Sequence, residues 1–176
     1  MTAQETYERL REQFGEAVGG ASLEAIDPWI EIQAAALPAV CQYLRDEPDL
    51  RFDMLHLVSA VDFFTADPKA AAKVDWQPHL QVVYHLSSFT HRHRIVLKVM
   101  LPRWKDDVPG QLPEVPTISH LYNTADWHER EVYDLSGVRF TGHPDLRRIL
   151  CPEDWPGHPL RKDFEMPAEY HGIPTR

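Results

Sequence analysis

The sequence predicts an α+β fold, a two-layer domain with N-terminal helices packed on a small mixed or antiparallel sheet, then a helix and an extended irregular C-terminal tail. Two observations carry this. Helical apolar spacing early in the chain gives way to three Val-, Ile- and Leu-rich segments between polar loops, and prolines then become too frequent for further long elements. The expected organisation is an α+β domain over 1–116, a helical segment over 117–140 and a proline-rich docking tail over 141–176.

In chain order, Tyr7, Leu10, Phe14 and Val18 recur at helical spacing, which predicts a helix from Thr6 to Val18 stopped by Gly19-Gly20. Trp29-Ile-Glu-Ile fits a strand. Leu37, Val40, Cys41 and Leu44 fall at i, i+3, i+4 and i+7, a second helix that tolerates Pro38 in its first turn and ends at Glu47-Pro48-Asp49. Strands are expected at Met54 to Phe64, His79 to Ser87 and Arg94 to Leu101, the last two joined through Ser87 to His91 as an antiparallel hairpin. Leu80, Val82, Tyr84 and Leu86 alternate with Gln81, Val83 and His85, so this strand packs mainly one face. Pro102, Pro109, Pro113 and Pro116 mark a stiff loop. Beyond Gly137 six more prolines exclude long helices and central strands.

The 176 residues are enough for one domain with a core of its own, and 43% hydrophobic with 26% charged residues places the chain among folded globular proteins. A formal charge of −9 repels a phosphate backbone, so nucleic acid is excluded as a bulk electrostatic partner. No run approaches the roughly 20 apolar residues of a membrane-spanning helix, and Met1 to Leu10 lacks the basic and apolar regions of a secretory signal, so a cytosolic-side location is expected. Cys41 and Cys151 stand apart and form no Cys-x-x-Cys pair, which points to free thiols rather than cluster ligands or a disulfide framework.

Asn123 or Thr124 can cap a helix through Leu135, with Asp126 favourably placed in its first turn and Gly137 as a stop. Leu121, Ala125, Val132 and Leu135 share one stripe, while Trp127, Arg130, Glu131 and Asp134 share another. Arg130 and Asp134 are i,i+4 partners worth a few tenths of a kcal/mol on an exposed helix, and the plain reading is a solvated surface helix.

After the helix, Gly-His-Pro followed by Leu-Arg occurs twice, at Gly142 to Arg147 and at Gly157 to Arg161. Each proline forces its histidine into an extended conformation and each glycine permits a turn, so both units present His and Arg from a stiff irregular backbone. Arg147 and Arg148, then Arg161 and Lys162, alternate with the aromatics Phe140, Trp155 and Phe164. Arginine and tryptophan are enriched at interface hot spots, which suits a partner with carboxylates and grooves. The competing reading is that the same side chains wrap back onto their own domain and pair with its excess of acids.

These residues also resemble a known family. Glu129-Arg130-Glu131 with Tyr133-Asp134 and Gly137, then Phe140-x-Gly-His-Pro-Asp-Leu-Arg-Arg-Ile-Leu, then Gly157-His-Pro-Leu-Arg-Lys-Asp-Phe, is similar to the signature of the C subunit of complex I-type NADH:quinone oxidoreductases. The Val61-Asp62 pair fits the same pattern. The resemblance implies a redox-inert member of the peripheral arm that supports assembly, packs on the D subunit, which helps form the quinone site, and neighbours the B and I subunits, on the cytoplasmic face of a bacterial inner membrane. It implies no cofactor on this chain, with FMN, iron–sulfur clusters, NADH and quinone handled by the whole complex. The expected interface comprises Trp127, Glu129, Arg130, Glu131, Tyr133, Asp134, Phe140, His143, Arg147, Arg148, Trp155, His158, Arg161, Lys162, Asp163 and Phe164. The equivalent polypeptide of a membrane-bound nickel–iron hydrogenase or ferredoxin-linked complex shares this tail, and a free-standing binding module is the reading from another class.

Ten histidines raise the question of a metal. His91 and His93 flank a hairpin, His120 and His128 are eight apart, and no His-Glu-x-x-His pattern occurs, so surface or capping roles are expected. No nucleophile elbow or dinucleotide-binding glycine pattern is present either, and no catalytic residue is expected.

Overall fold

A computed structural model describes residues 1–175. Helix α1 (Ala3–Phe14) begins at a capping box in which Thr2 Oγ1 accepts from the Glu5 amide and the Glu5 carboxylate accepts from the Thr2 amide. It ends at Gly15, which turns the chain at a φ of 55°. The expected continuation to Val18 does not form: Val18–Ser22 is strand β1, with a short 3-10 turn before it. Val18 keeps the apolar period but is buried in the sheet instead. Gly19 and Gly20 therefore belong to a strand, where the absent side chain lets Glu31 lie close: a Cβ at Gly19 would sit 3.4 Å from the Glu31 Cβ.

Strand β2 (Trp29–Ile32) leads to α2 (Leu37–Asp46), with Pro38 in the first turn and Leu37, Val40, Cys41 and Leu44 all buried. Strands β3 (Met54–Phe63), β4 (His79–Ser87) and β5 (Arg94–Leu101) follow, with a short helix α3 (Pro68–Ala71) between β3 and β4. The sheet order is β1-β2-β5-β4-β3; β2 and β5 run parallel and every other pair antiparallel, so the sheet is mixed.

Register sets the core. Leu80, Val82, Tyr84 and Leu86 stand opposite Leu101, Val99, Leu97 and Ile95, and all eight are buried on the helix-covered face. Val58 and Ala60 continue that face on β3, and so does Asp62, opposite Leu80. An aspartate in the inward phase of an apolar strand must find partners.

Helix α4 (Asn123–Ser136) packs on β3 and connects β6 (Glu114–Pro116) to β7 (Arg139–Thr141), a parallel pair beside the main sheet. These two strands escape sequence reading because proline lies at Pro116 and each is three residues long. Helix α4 starts at Tyr122 with no side-chain cap, so neither Asn123 nor Thr124 plays the expected role; Thr124 Oγ1 instead donates to the Leu55 carbonyl at 3.0 Å, tying the helix to β3. Gly137 does terminate it, in the left-handed region at a φ of 68°. The remaining described residues are irregular apart from a small hairpin, β8 (Glu169–Tyr170) with β9 (Ile173–Pro174).

Candidate functional site

The signature segment is not a solvated helix with a free tail. Asp134 and Glu129 are fully buried and Arg130 nearly so, because residues 142 to 163 fold back over α4 and bond to it turn by turn.

The first Gly-His-Pro unit engages the beginning and middle of the helix. His143 accepts the Asp145 amide at Nδ1, which makes Nε2 the protonated nitrogen, and Nε2 donates to the Asp126 carbonyl at 3.1 Å. Arg130 donates to the Arg147 carbonyl and lies over the Trp127 ring, 5.3 Å from its centroid.

The centre of the site is Asp134. One carboxylate oxygen, Oδ2, accepts three successive backbone amides, those of Ile149 (3.0 Å), Leu150 (2.7 Å) and Cys151 (2.9 Å). The other, Oδ1, accepts Arg148 Nη1 at 2.9 Å. Three convergent N–H groups form a nest for an anion, and here the chain supplies the anion itself. Burial pushes the Asp134 carboxyl up in pKa, but the three amides and Arg148 outweigh it and hold it below its ordinary value of 3.8. The expected Arg130–Asp134 helix pair is thus replaced: Arg148, 14 residues on, is the partner of Asp134.

The second unit caps the helix end. An α-helix leaves its last carbonyls without intrahelical donors. In α4 those of Asp134, Leu135 and Ser136 receive, in order, His158 Nδ1 (2.9 Å), the Leu160 amide (2.8 Å) and Arg161 Nε (2.8 Å). Arg161 also reaches the carbonyls of Gly137 (3.3 Å) and Arg103 (2.8 Å), and its guanidinium sits 4.0 Å above the Trp104 ring. Burial lowers the Arg161 pKa to about 10, so it remains a cation at neutral pH. Arg148 Nη2 donates to the Gly157 carbonyl, joining the two units.

Beyond Arg161, the Lys162 amide donates to Asp62 Oδ2, while Asp62 and Asp163 both accept from Arg103 at 2.7 to 2.9 Å. This is where the inward aspartate of β3 finds its partners. The guanidinium of Arg103 also stacks on Phe64 at 3.8 Å.

Of the expected interface residues, Glu129, Arg130, Asp134, Phe140 and Arg161 are buried within the chain; Tyr133, His143, Arg148, Trp155, His158 and Phe164 are half-buried; Trp127, Glu131, Arg147, Lys162 and Asp163 are exposed. Trp155 packs near Tyr170, with centroids 4.8 Å apart, and Phe164 lies over Gly157. Sequence reading placed Asp62 in the family pattern but not in the site, and missed Arg103 and Trp104. Asp62 alone carried a signal, its charge at an inward strand position. Left exposed along α4 and the arm are Trp127 (65%), Leu150 (61%), Leu160 (59%), Met166 (45%) and Ile173 (67%). Among the described residues no group of three or more His, Cys, Asp or Glu is placed to hold a metal ion.

Gly137 is the tightest point. A Cβ there would come within 2.5 Å of the His158 ring, at a φ that side chains disfavour. Gly137→Ala is therefore expected to cost on the order of 2 kcal/mol or more and to expose the Leu160 amide to exchange. Urea denaturation with hydrogen exchange checks it, and wild-type protection at Leu160 would contradict the assigned packing.

Fold and site together define a small α+β protein whose mixed sheet is backed by helices and closed by a self-bonded arm. Residues 30–170 match the family model described as respiratory-chain NADH dehydrogenase, 30 Kd subunit, and the chain belongs to that family. It is 38% identical over 169 residues to the C subunit of the NADH-quinone oxidoreductase of Chloroherpeton thalassium, covering 95% of this chain and 62% of that one. It is 41% identical over 162 residues to the C subunit of the NADH-quinone oxidoreductase of Roseiflexus sp. strain RS-1, covering 92% and 83%. The chain thus spans under two thirds of the first relative and most of the second. Among solved structures, the trypsin-resistant fragment (1-134) of Nqo5 aligns with a TM-score of 0.61 at 26% identity, covering 83% of this chain and 100% of that one.

Proposed function

We propose that this chain is the C subunit of a proton-translocating NADH:quinone oxidoreductase, acting in assembly and as a support for the D subunit at the quinone site rather than in electron transfer. The observation that carries the reading is the division of labour in the signature segment. Asp134, Arg130, Arg148 and Arg161 are spent inside the chain, fixing the arm's shape, while Trp127, Leu150 and Leu160, and Met166 and Ile173 just beyond the segment, face outward. Exposed apolar side chains on a braced backbone suit protein docking, because little conformational entropy is left to lose on binding.

In this reading Glu131, Arg147 and Lys162 form the polar surround of the contact, and the B and I subunits are further neighbours. FMN, iron–sulfur clusters, NADH and quinone reside elsewhere in the complex. No described helix is long and apolar enough to cross a membrane, and the chain is held at the cytoplasmic face of the inner membrane through the complex.

The test is a pull-down from cells through the full chain carrying Leu150→Asp and Leu160→Asp. Each desolvated leucine is worth about 1.5–3 kcal/mol, so recovery of the quinone-site partner should fall more than tenfold with the urea midpoint unchanged. Undiminished recovery of that partner would overturn the docking assignment.

A further inference from the structure

Helix α4 turns Ala125, Glu129, Val132 and Ser136 toward the interior, so its period drives a carboxyl into the core. Glu129 is fully buried. Its Oε1 accepts the Ile118 amide at 2.8 Å, and its Oε2 lies 2.5 Å from Thr117 Oγ1.

Among the described residues, the titratable groups facing it are the Tyr84 hydroxyl from β4, the Cys41 thiol from α2 and, a turn earlier on α4, Asp126. None is a cation. The Tyr84 hydroxyl is buried with no hydrogen-bond partner among the described residues. Tyr84 and Cys41 are both pushed up in pKa, first by burial and then by Glu129. An ionised carboxylate here would be a buried charge without a counter-ion, which is strongly disfavoured.

The hydroxyl chain accommodates a proton. A protonated Glu129 donates to Thr117 Oγ1, which also accepts the Ser119 amide at 3.1 Å and donates its own hydrogen to Ser119 Oγ at 2.8 Å. Ionisation makes Thr117 turn its only hydrogen toward Glu129 and withdraw it from Ser119.

We propose that Glu129 is an internal proton site whose ionisation loosens α4 and, through Asp134 and the capped carbonyls one to two turns later, the arm clamped to that helix. Burial supports this by raising the Glu129 pKa from 4.5 to about 7. The folded state then keeps a proton that the opened state has lost. The associated stability is fully present below pH 4.5, falls as pH rises toward 7 and changes no further above it. His158 acts in the opposite sense. Burial lowers its pKa from 6.5, so its contribution is lost as pH falls. The decisive quantity is therefore the difference between wild type and a variant neutral at position 129.

Hydrogen exchange of the full chain and of Glu129→Gln, read at the α4 amides and at Ile149, Leu150 and Cys151, supplies it. Protection in wild type relative to the variant should fall about tenfold per pH unit from about pH 5 to 7 and then level off. Carbon-13 titration of the Glu129 carboxyl in the wild-type protein, which does not depend on the variant folding, should show a midpoint near 7. A midpoint in the ordinary range of about 4 to 5, or parallel pH profiles for the two proteins, would overturn the proposal.

Discussion

Asp134→Ala should lower the stability of the full chain by about 3–5 kcal/mol, the cost of removing one partner from a buried charged network, which for a chain of this size corresponds to a melting temperature lower by roughly 10 °C or more. The carboxylate removed is fully buried and accepts the amides of Ile149, Leu150 and Cys151 at Oδ2 and Arg148 at Oδ1. Alanine leaves three N–H groups and a half-buried guanidinium without their acceptor. Urea denaturation measures the loss, and hydrogen exchange locates it at residues 149–151. Asp134→Asn keeps an acceptor oxygen but turns an amide or a weaker dipole toward Arg148, so its loss should be smaller. If both variants melt with the wild type, the clamp is not what holds the arm.

The same carboxylate has a pH signature. Its folded pKa lies below the ordinary 3.8, so the stability it contributes is present above that value and is lost as pH falls through the folded value. Acidification below about pH 4 should release the arm in the wild type and have little left to release in Asp134→Ala. The functional consequence differs from that of the outward leucines. Under the proposed function, Asp134→Ala should lose stability and the proposed quinone-site partner together, whereas Leu150→Asp with Leu160→Asp should lose the proposed partner alone.

What could be read from the sequence follows the range of the forces involved. The α2 and β3 to β5 segments were legible because each is set by a periodic apolar pattern repeated within about ten residues. The end of α1 was not, since Val18 satisfies the helical period while sitting in a strand, and Gly15 rather than Gly19 makes the turn. The arm has no period at all. Its fold is written in contacts between distant residues: Arg148 with Asp134 across 14 positions, Arg103 with Asp62 across 41, the Lys162 amide with Asp62 across 100. The motif residues were visible as a group, but not their direction. A row of arginines and aspartates reads equally well as an outward docking face or an inward brace until the backbone carbonyls that need donors are placed.

Arg161 is where that ambiguity has the largest consequence. It is buried, it supplies donors to the carbonyls of Ser136, Gly137 and Arg103, and it stacks on Trp104. A planar guanidinium can serve three acceptors lying in different directions while presenting its face to an indole; an ammonium on a flexible stem cannot. Arg161→Lys should therefore not rescue the site. Both Arg161→Ala and Arg161→Lys should cost about 2 kcal/mol or more, because each leaves at least one buried carbonyl without a donor, and alanine also forfeits the contact with Trp104. The readout is hydrogen exchange at the last turn of α4 together with the urea midpoint. The Arg161 side chain is only 5% exposed, so a docked protein gains almost no direct contact with it. An Arg161→Lys chain that keeps wild-type stability yet loses the proposed quinone-site partner would place this arginine in the interface itself, and the brace reading of the Gly-His-Pro-Leu-Arg unit would fall.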